Sequence, residues 1–118
     1  MVGRCSKCKE SKGERKITKI LNINNIKYSS QISFDGCVYK RPLKFDFYLP
    51  EYNLCIEYNR RHHYIPIDFF GGVDGLHKTK KRDNIKIQYC ENNNIDLLII
   101  KCGENIKDKL KSHIPTIP

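Results

Sequence analysis

The stretch that leaves the fewest folds open is Leu43 to Tyr64, LKFDFYLPEYNLCIEYNRRHHY. Two apolar, aromatic-rich runs flank the turn cluster Pro50-Glu51-Tyr52-Asn53, so they read as antiparallel strands joined by a hairpin. Each run carries a carboxylate: Asp46 lies between Phe45 and Phe47, and Glu57 follows Leu54, Cys55 and Ile56. A carboxylate among residues meant for burial is costly unless a cation or a donor meets it. Two of them on adjoining strands repel, and each raises the other's pKa. Cross-strand partners stand about 5 Å apart at closest and roughly 7–8 Å diagonally, so either arrangement lets both acids share one cation. Mg2+ (or Mn2+) is the simplest relief, because such hard ions are held by one or two carboxylates plus substrate phosphate. The plainer alternative leaves both acids at a solvated edge, paired with Lys or Arg.

The residues that follow extend this chemistry. Asn59-Arg60-Arg61-His62-His63 places two guanidinium groups, able to clamp a phosphate bidentately, beside two imidazoles. His62 or His63 is the candidate to orient water or take its proton. Net charge is +9, and the cations are bunched rather than spread. One bunch, Lys78, Lys80, Lys81 and Arg82, falls where a second helix is expected and reads as a face for a polyanion, most simply DNA. Lys86, one turn beyond Arg82, is the cation expected to approach a scissile phosphate. For each of these, plain solubility is the competing explanation.

In chain order, residues 1–10 form a basic segment with Cys5 and Cys8 spaced as C-x2-C, half of a tetrahedral zinc site. Cys37, in an expected Asp35-Gly36 loop, is the one plausible helper. Cys55, Cys90 and Cys102 read as buried, inert thiols. Residues 11–118 form one domain. Ser11 and Glu14 make a capping box for a helix running to Asn24, with Ile17, Ile20 and Leu21 on its core face. Glu14 is thereby accounted for as a cap, yet the start of that helix can also face the acid pair, which makes it a catalytic candidate.

A strand is expected over Ile26–Phe34, then a turn at Asp35-Gly36 and a break at Arg41-Pro42 before the central pair. A loop over Ile65–Gly75 precedes a helix over Leu76–Asn92, with Ile85, Tyr89 and the stem of Arg82 inward. Ile95–Lys101 reads as a strand covered on both faces, and Glu104–Ser112 as a short helix. The expectation is an α/β fold: a single mixed β-sheet flanked by helices, in the order α-β-β-β-α-β-α. With no run of about 18 apolar residues and no secretory signal, no membrane partner is expected, and the setting is intracellular, in a cytoplasm or a host nucleus. The six cysteines then need not be disulfides.

Taken together, Glu14, FDFYLPEYNLCIEY, the His-containing turn and RDNIKIQYC resemble the PD-(D/E)XK nuclease superfamily. The likeness is to its Vsr-like branch of very-short-patch repair and related homing endonucleases, and it covers about residues 11 to 101. It implies a restriction-endonuclease-like αβββαβ core and Mg2+-dependent hydrolysis of DNA phosphodiester bonds. Asp46 and Glu57 would occupy the acidic positions, Glu14 that of the first-helix glutamate, and His63 that of the histidine in a Gln-His pair. Cys5 and Cys8 resemble the trailing half of a zinc ribbon, here a remnant. The chain departs from the pattern at Asn59, Arg60 and His62, where relatives carry an acid, a glycine and a glutamine. A nuclease-fold module that binds DNA without cutting it is therefore the alternative reading, and a zinc-dependent interaction protein built on Cys5 and Cys8 is a further one. Cutting both strands would call for two active sites, which a symmetric homodimer supplies.

Overall fold

A computed structural model describes residues 12–59 and 72–118. Seven elements follow in chain order: α1 (Lys12–Ile23), β1 (Ser29–Tyr39), β2 (Arg41–Leu49), β3 (Leu54–Asn59), α2 (Gly72–Asn92), β4 (Asp96–Lys101) and α3 (Ile106–His113). The strands form one mixed sheet in the order β1-β2-β3-β4. The β1–β2 and β2–β3 pairs are antiparallel and β3–β4 is parallel, as a strand reached through a helical crossover allows. The expected α/β class with one mixed sheet is what the chain adopts. No helix among the described residues is long and apolar enough to cross a membrane.

Both long helices stop the same way. Asn25 and Asn94 take left-handed φ values of 56°, and the next residue's N–H returns to a carbonyl five positions back: Ile26 to Leu21 and Ile95 to Cys90. Asparagine tolerates that conformation, and the following isoleucine packs inward, so one motif ends the helix and aims the chain at the sheet.

The sheet has two unlike faces. On one, Ile17 and Leu21 of α1, Leu110 of α3, and Ile114 and Ile117 beyond it pack on Phe47, Leu49, Leu54, Ile56, Leu98 and Ile100. On the other, Ile85, Tyr89 and Cys90 of α2 pack with Cys37, Leu43, Phe45, Cys55 and Leu97. In a regular strand Phe45 and Phe47 would share a face. Here they join opposite cores, so β2 turns over at Asp46. Two neighbours mark the same point. Gln31, opposite Asp46 in the register, has φ +52°, and the β2–β3 register runs only over Phe47–Leu49 against Leu54–Ile56.

Several boundaries differ from expectation. The Asp35-Gly36 turn does not form: β1 continues through it with a register irregularity between Ser33 and Val38, Gly36 supplying φ +91°. The Phe34 ring, packed on Phe45, Tyr48 and Tyr89, holds the strand past the glycine. The turn falls instead at Lys40 (φ +65°), and Arg41-Pro42 opens β2 rather than breaking the chain. Cys37 is consequently not in a loop; its thiol is fully buried with Cys55 and Cys90. α2 begins at Gly72, so residues 72–75 are helical, with Asp74 favourably placed in the first turn. α3 begins at Ile106, because Glu104 Oε1 accepts the Lys101 N–H while Asn105 caps the helix through the Asp108 N–H.

Candidate active site

Where β2 turns over, the two acids replace the missing ladder. The Asp46 N–H donates to Glu57 Oε2 at 2.7 Å, and the Tyr58 N–H donates to Asp46 Oδ2 at 2.8 Å. Each carboxylate thus ties down the other's strand, and neither can rotate away without orphaning a backbone donor. Lys86, reaching across from α2, sets Nζ 2.8 Å from Glu57 Oε1 and 5.2 Å from the centre of the Phe45 ring. The lysine and the glutamate side chains are 13% and 7% exposed, so this ion pair is largely removed from water.

Burial pushes the Glu57 carboxyl above its ordinary range, and the neighbouring Asp46 charge pushes it further. The Lys86 ammonium and the Asp46 N–H oppose both without cancelling them; the carboxyl sits at about 7. The two hydrogen bonds place both carboxyl groups at the same point of the β2–β3 pair.

Of the expected catalytic residues, Asp46, Glu57 and Lys86 are brought together. Glu14 is buried in the first turn of α1, and its neighbour Gly13 lies against the Tyr58 ring, which brings that turn beside the exit of β3. Lys78, Lys80, Lys81 and Arg82 are exposed on α2. Arg82, whose stem was expected inward, is exposed, with its guanidinium carbon 5.6 Å from the centre of the Tyr39 ring. Arg60, Arg61, His62 and His63, together with Cys5, Cys8 and Ser11, lie outside the described residues.

Three features escaped the sequence reading. Asp83, three residues before the expected Lys86 on α2, lines with it, Glu57 and Asn59 a cavity of about 10 Å³, room for about one water. The helical spacing of Asp83 and Lys86 was the available signal. Asn59, which the sequence reading marked only as a departure, is 5% exposed, and its Oδ1 has no hydrogen-bond partner among the described residues. Gly13 has the third role: a Cβ there would fall on the Tyr58 ring, and no local pattern announces so close an approach.

Asp46 and Glu57 are the described residues that could hold a divalent cation. Among the described residues no group of three or more His, Cys, Asp or Glu side chains could hold a metal. Mg2+ does not demand one, since one or two carboxylates plus substrate oxygens are its usual protein share. Asp46 and Glu57 are pinned from behind by backbone donors, and their mutual repulsion makes a cation welcome. No family model, no curated protein and no solved structure matches this chain.

Proposed function

We propose that the chain is a metal-dependent DNA endonuclease hydrolysing phosphodiester bonds, with a restriction-endonuclease-like PD-(D/E)XK core of the Vsr-like kind. The observation that carries the proposal is the crossed pair of Asp46 and Glu57, with the Lys86 ammonium on Glu57. Asp46 and Glu57 would hold Mg2+ or Mn2+. When bound, such an ion polarises the phosphate and acidifies water. The backbone donors of Asp46 and Tyr58 fix both carboxylates in place, so little reorganisation is left for the moment of reaction. Lys86 would offer Nζ to a phosphate oxygen and neutralise its growing charge. Glu57, with its raised proton affinity, can hold a proton at Oε1 or Oε2 until the site is filled. His62 or His63 would take the proton from the attacking water. Glu14 would contribute from the first turn of α1. Arg60 and Arg61, with the exposed cations of α2, would hold the DNA backbone.

The second reading is a nuclease-fold module that binds DNA without cutting it. Asn59 favours it, being an uncharged side chain beside Glu57, its Oδ1 without a hydrogen-bond partner among the described residues, where the resembled nucleases carry an acid. Incubation with supercoiled plasmid and Mg2+ or Mn2+ separates the two. Nicking that Asp46→Ala abolishes supports the enzyme; binding of the plasmid without nicking at any metal concentration supports the module.

A further inference from the structure

The uncompensated positive charge is not confined to α2. Three cations crowd one ring: the Lys40 and Lys81 ammonium groups lie 5.7 and 5.2 Å from the centre of Tyr39, and the Arg82 guanidinium 5.6 Å. Lys40 belongs to the tight β1–β2 turn, whereas Lys81 and Arg82 belong to the helix, so two sequence-distant elements converge on this point. Lys78, Lys81 and Arg82 are spaced to share one side of α2. Among the described residues none of Lys40, Arg41, Lys44, Lys78, Lys81 and Arg82 has a carboxylate within ion-pair distance. Attraction to one exposed ring offsets their mutual repulsion only weakly.

Beside them, between β2 and α2, runs an open cleft of about 260 Å³ whose polar lining includes Lys44, Thr79, Arg82 and Lys86, with Asp83 as its one acid among the described residues. Lys86 is the same residue that reaches Glu57. The cleft thus shares Arg82 with the cluster at Tyr39 and Lys86 with the acid pair. Cations placed only for solubility would be dispersed over the surface; these meet from two elements around a channel.

Resting on the function proposed above, we propose that the β1–β2 turn and α2 form the two walls of a track for the phosphate backbone of a nucleic acid strand, feeding it to Lys86. Lys40 and Lys44 supply one wall and Lys81 and Arg82 the other, so the hairpin is as much part of the DNA surface as the helix. Tyr39 keeps the three cation heads together at the mouth.

Each phosphate neutralised releases counterions, so the track is measurable as a salt slope. The full chain is titrated in EDTA against a fluorescent duplex oligonucleotide at a series of salt concentrations. Lys40→Asn with Lys44→Gln removes two charges from the hairpin wall; asparagine is used because Lys40 has φ +65°. Lys107→Gln with Lys111→Gln removes two exposed charges from α3, which packs on the other face of the sheet. The hairpin pair should flatten the slope of log K against log salt by about 2, uniformly across oligonucleotide sequences, and the α3 pair should leave it unchanged. Parental slope and affinity in the hairpin variant would overturn the track while leaving the nuclease reading standing. Equal losses in both variants would also overturn it, since the field would then be diffuse. Failure of the parental chain to bind DNA at any salt would remove the nuclease reading and the track together.

Discussion

The two faces of the sheet use the same four strands for different ends. The face under α1 and α3 is sealed by isoleucine, leucine and phenylalanine, with the rings of Tyr28, Tyr52 and Tyr58 packed against them. The face under α2 is filled with three thiols, aromatic rings and half-buried chains, and at its end holds a buried glutamate, a buried asparagine and a lysine. Dry aliphatic packing supplies stability, and each fully buried Leu or Ile contributes roughly 1.5–3 kcal/mol relative to exposure. Burying Glu57 and Asn59 works against stability. The contrast teaches that one face anchors the strands firmly enough for the other to keep charges where chemistry could use them.

The sharpest break between the faces falls between adjacent residues of β3. Glu57→Gln keeps the shape but removes the charge. Nicking should fall by roughly 10²–10³-fold or more in a plasmid assay, on the scale of losing a group that stabilises developing charge. Thermal unfolding should show the variant still folded but no more stable than the parent, because the amide offers one acceptor oxygen where Glu57 met two donors, the Asp46 N–H and the Lys86 ammonium. Ile56→Ala should do the reverse, costing about 2–5 kcal/mol by denaturant unfolding while leaving nicking per folded molecule intact. If Glu57→Gln unfolds the chain and Ile56→Ala abolishes nicking in folded protein, the division of labour is wrong.

The charged face should also announce itself in pH. The Glu57 carboxyl is raised from 4.5 to about 7 by burial and by Asp46, so the folded chain binds a proton that the unfolded chain has already released. Its contribution to stability is therefore complete below about pH 4.5 and is lost as pH rises to about 7. At about 1.4 kcal/mol per unit, roughly 3 kcal/mol should disappear across that window without metal. Denaturant midpoints measured in EDTA from pH 4 to 8 test this; Glu57→Gln should flatten the profile, and Mg2+ should restore stability at the upper end.

A smaller effect comes from the joint between the faces. Gly13→Ala would press a methyl group onto the Tyr58 ring, and α1 or the ring must move. Overpacking of this kind costs about 1–3 kcal/mol. Nicking should fall as well, since the Tyr58 N–H holds Asp46. Loss of stability with full activity would show that α1 belongs to the dry face alone.

How much of this was legible beforehand follows the same division. The dry face was readable: Ile17 and Leu21 stood at helical spacing, Leu98 and Ile100 in a continuous apolar run, and asparagines marked both helix ends. So was the acid pair, because Asp46 and Glu57 interrupted apolar strands with charges that local chemistry could not excuse. What eluded the sequence was set by contacts distant in the chain. Asp35-Gly36 carries every local mark of a turn, yet Phe34, held by Phe45, Tyr48 and Tyr89, carries the strand through it. Lys40 and Lys44 carried no assigned role, because only the fold brings the β1–β2 turn beside α2. Nothing adjacent to Asn59 predicts that its side-chain carbonyl finds no partner among the described residues.

The smallest effect concerns why β2 changes faces at all. Gln31 holds φ +52° opposite Asp46, a left-handed conformation that disfavours a side chain and is worst for a β-branched one. Were the reversal a property of β2 alone, the residue at 31 would matter only through strand propensity, and Gln31→Val would be mildly favourable. If the kink instead runs through both strands, valine should cost about 1–2 kcal/mol despite its preference for sheets, and Gln31→Gly should be stabilising by up to about 1 kcal/mol. Because Gln31 is exposed, neither change disturbs packing, and unfolding midpoints read the backbone directly. Opposite signs for the two substitutions would mean that β1 pays part of the strain that lets Asp46 leave the ladder and meet Glu57.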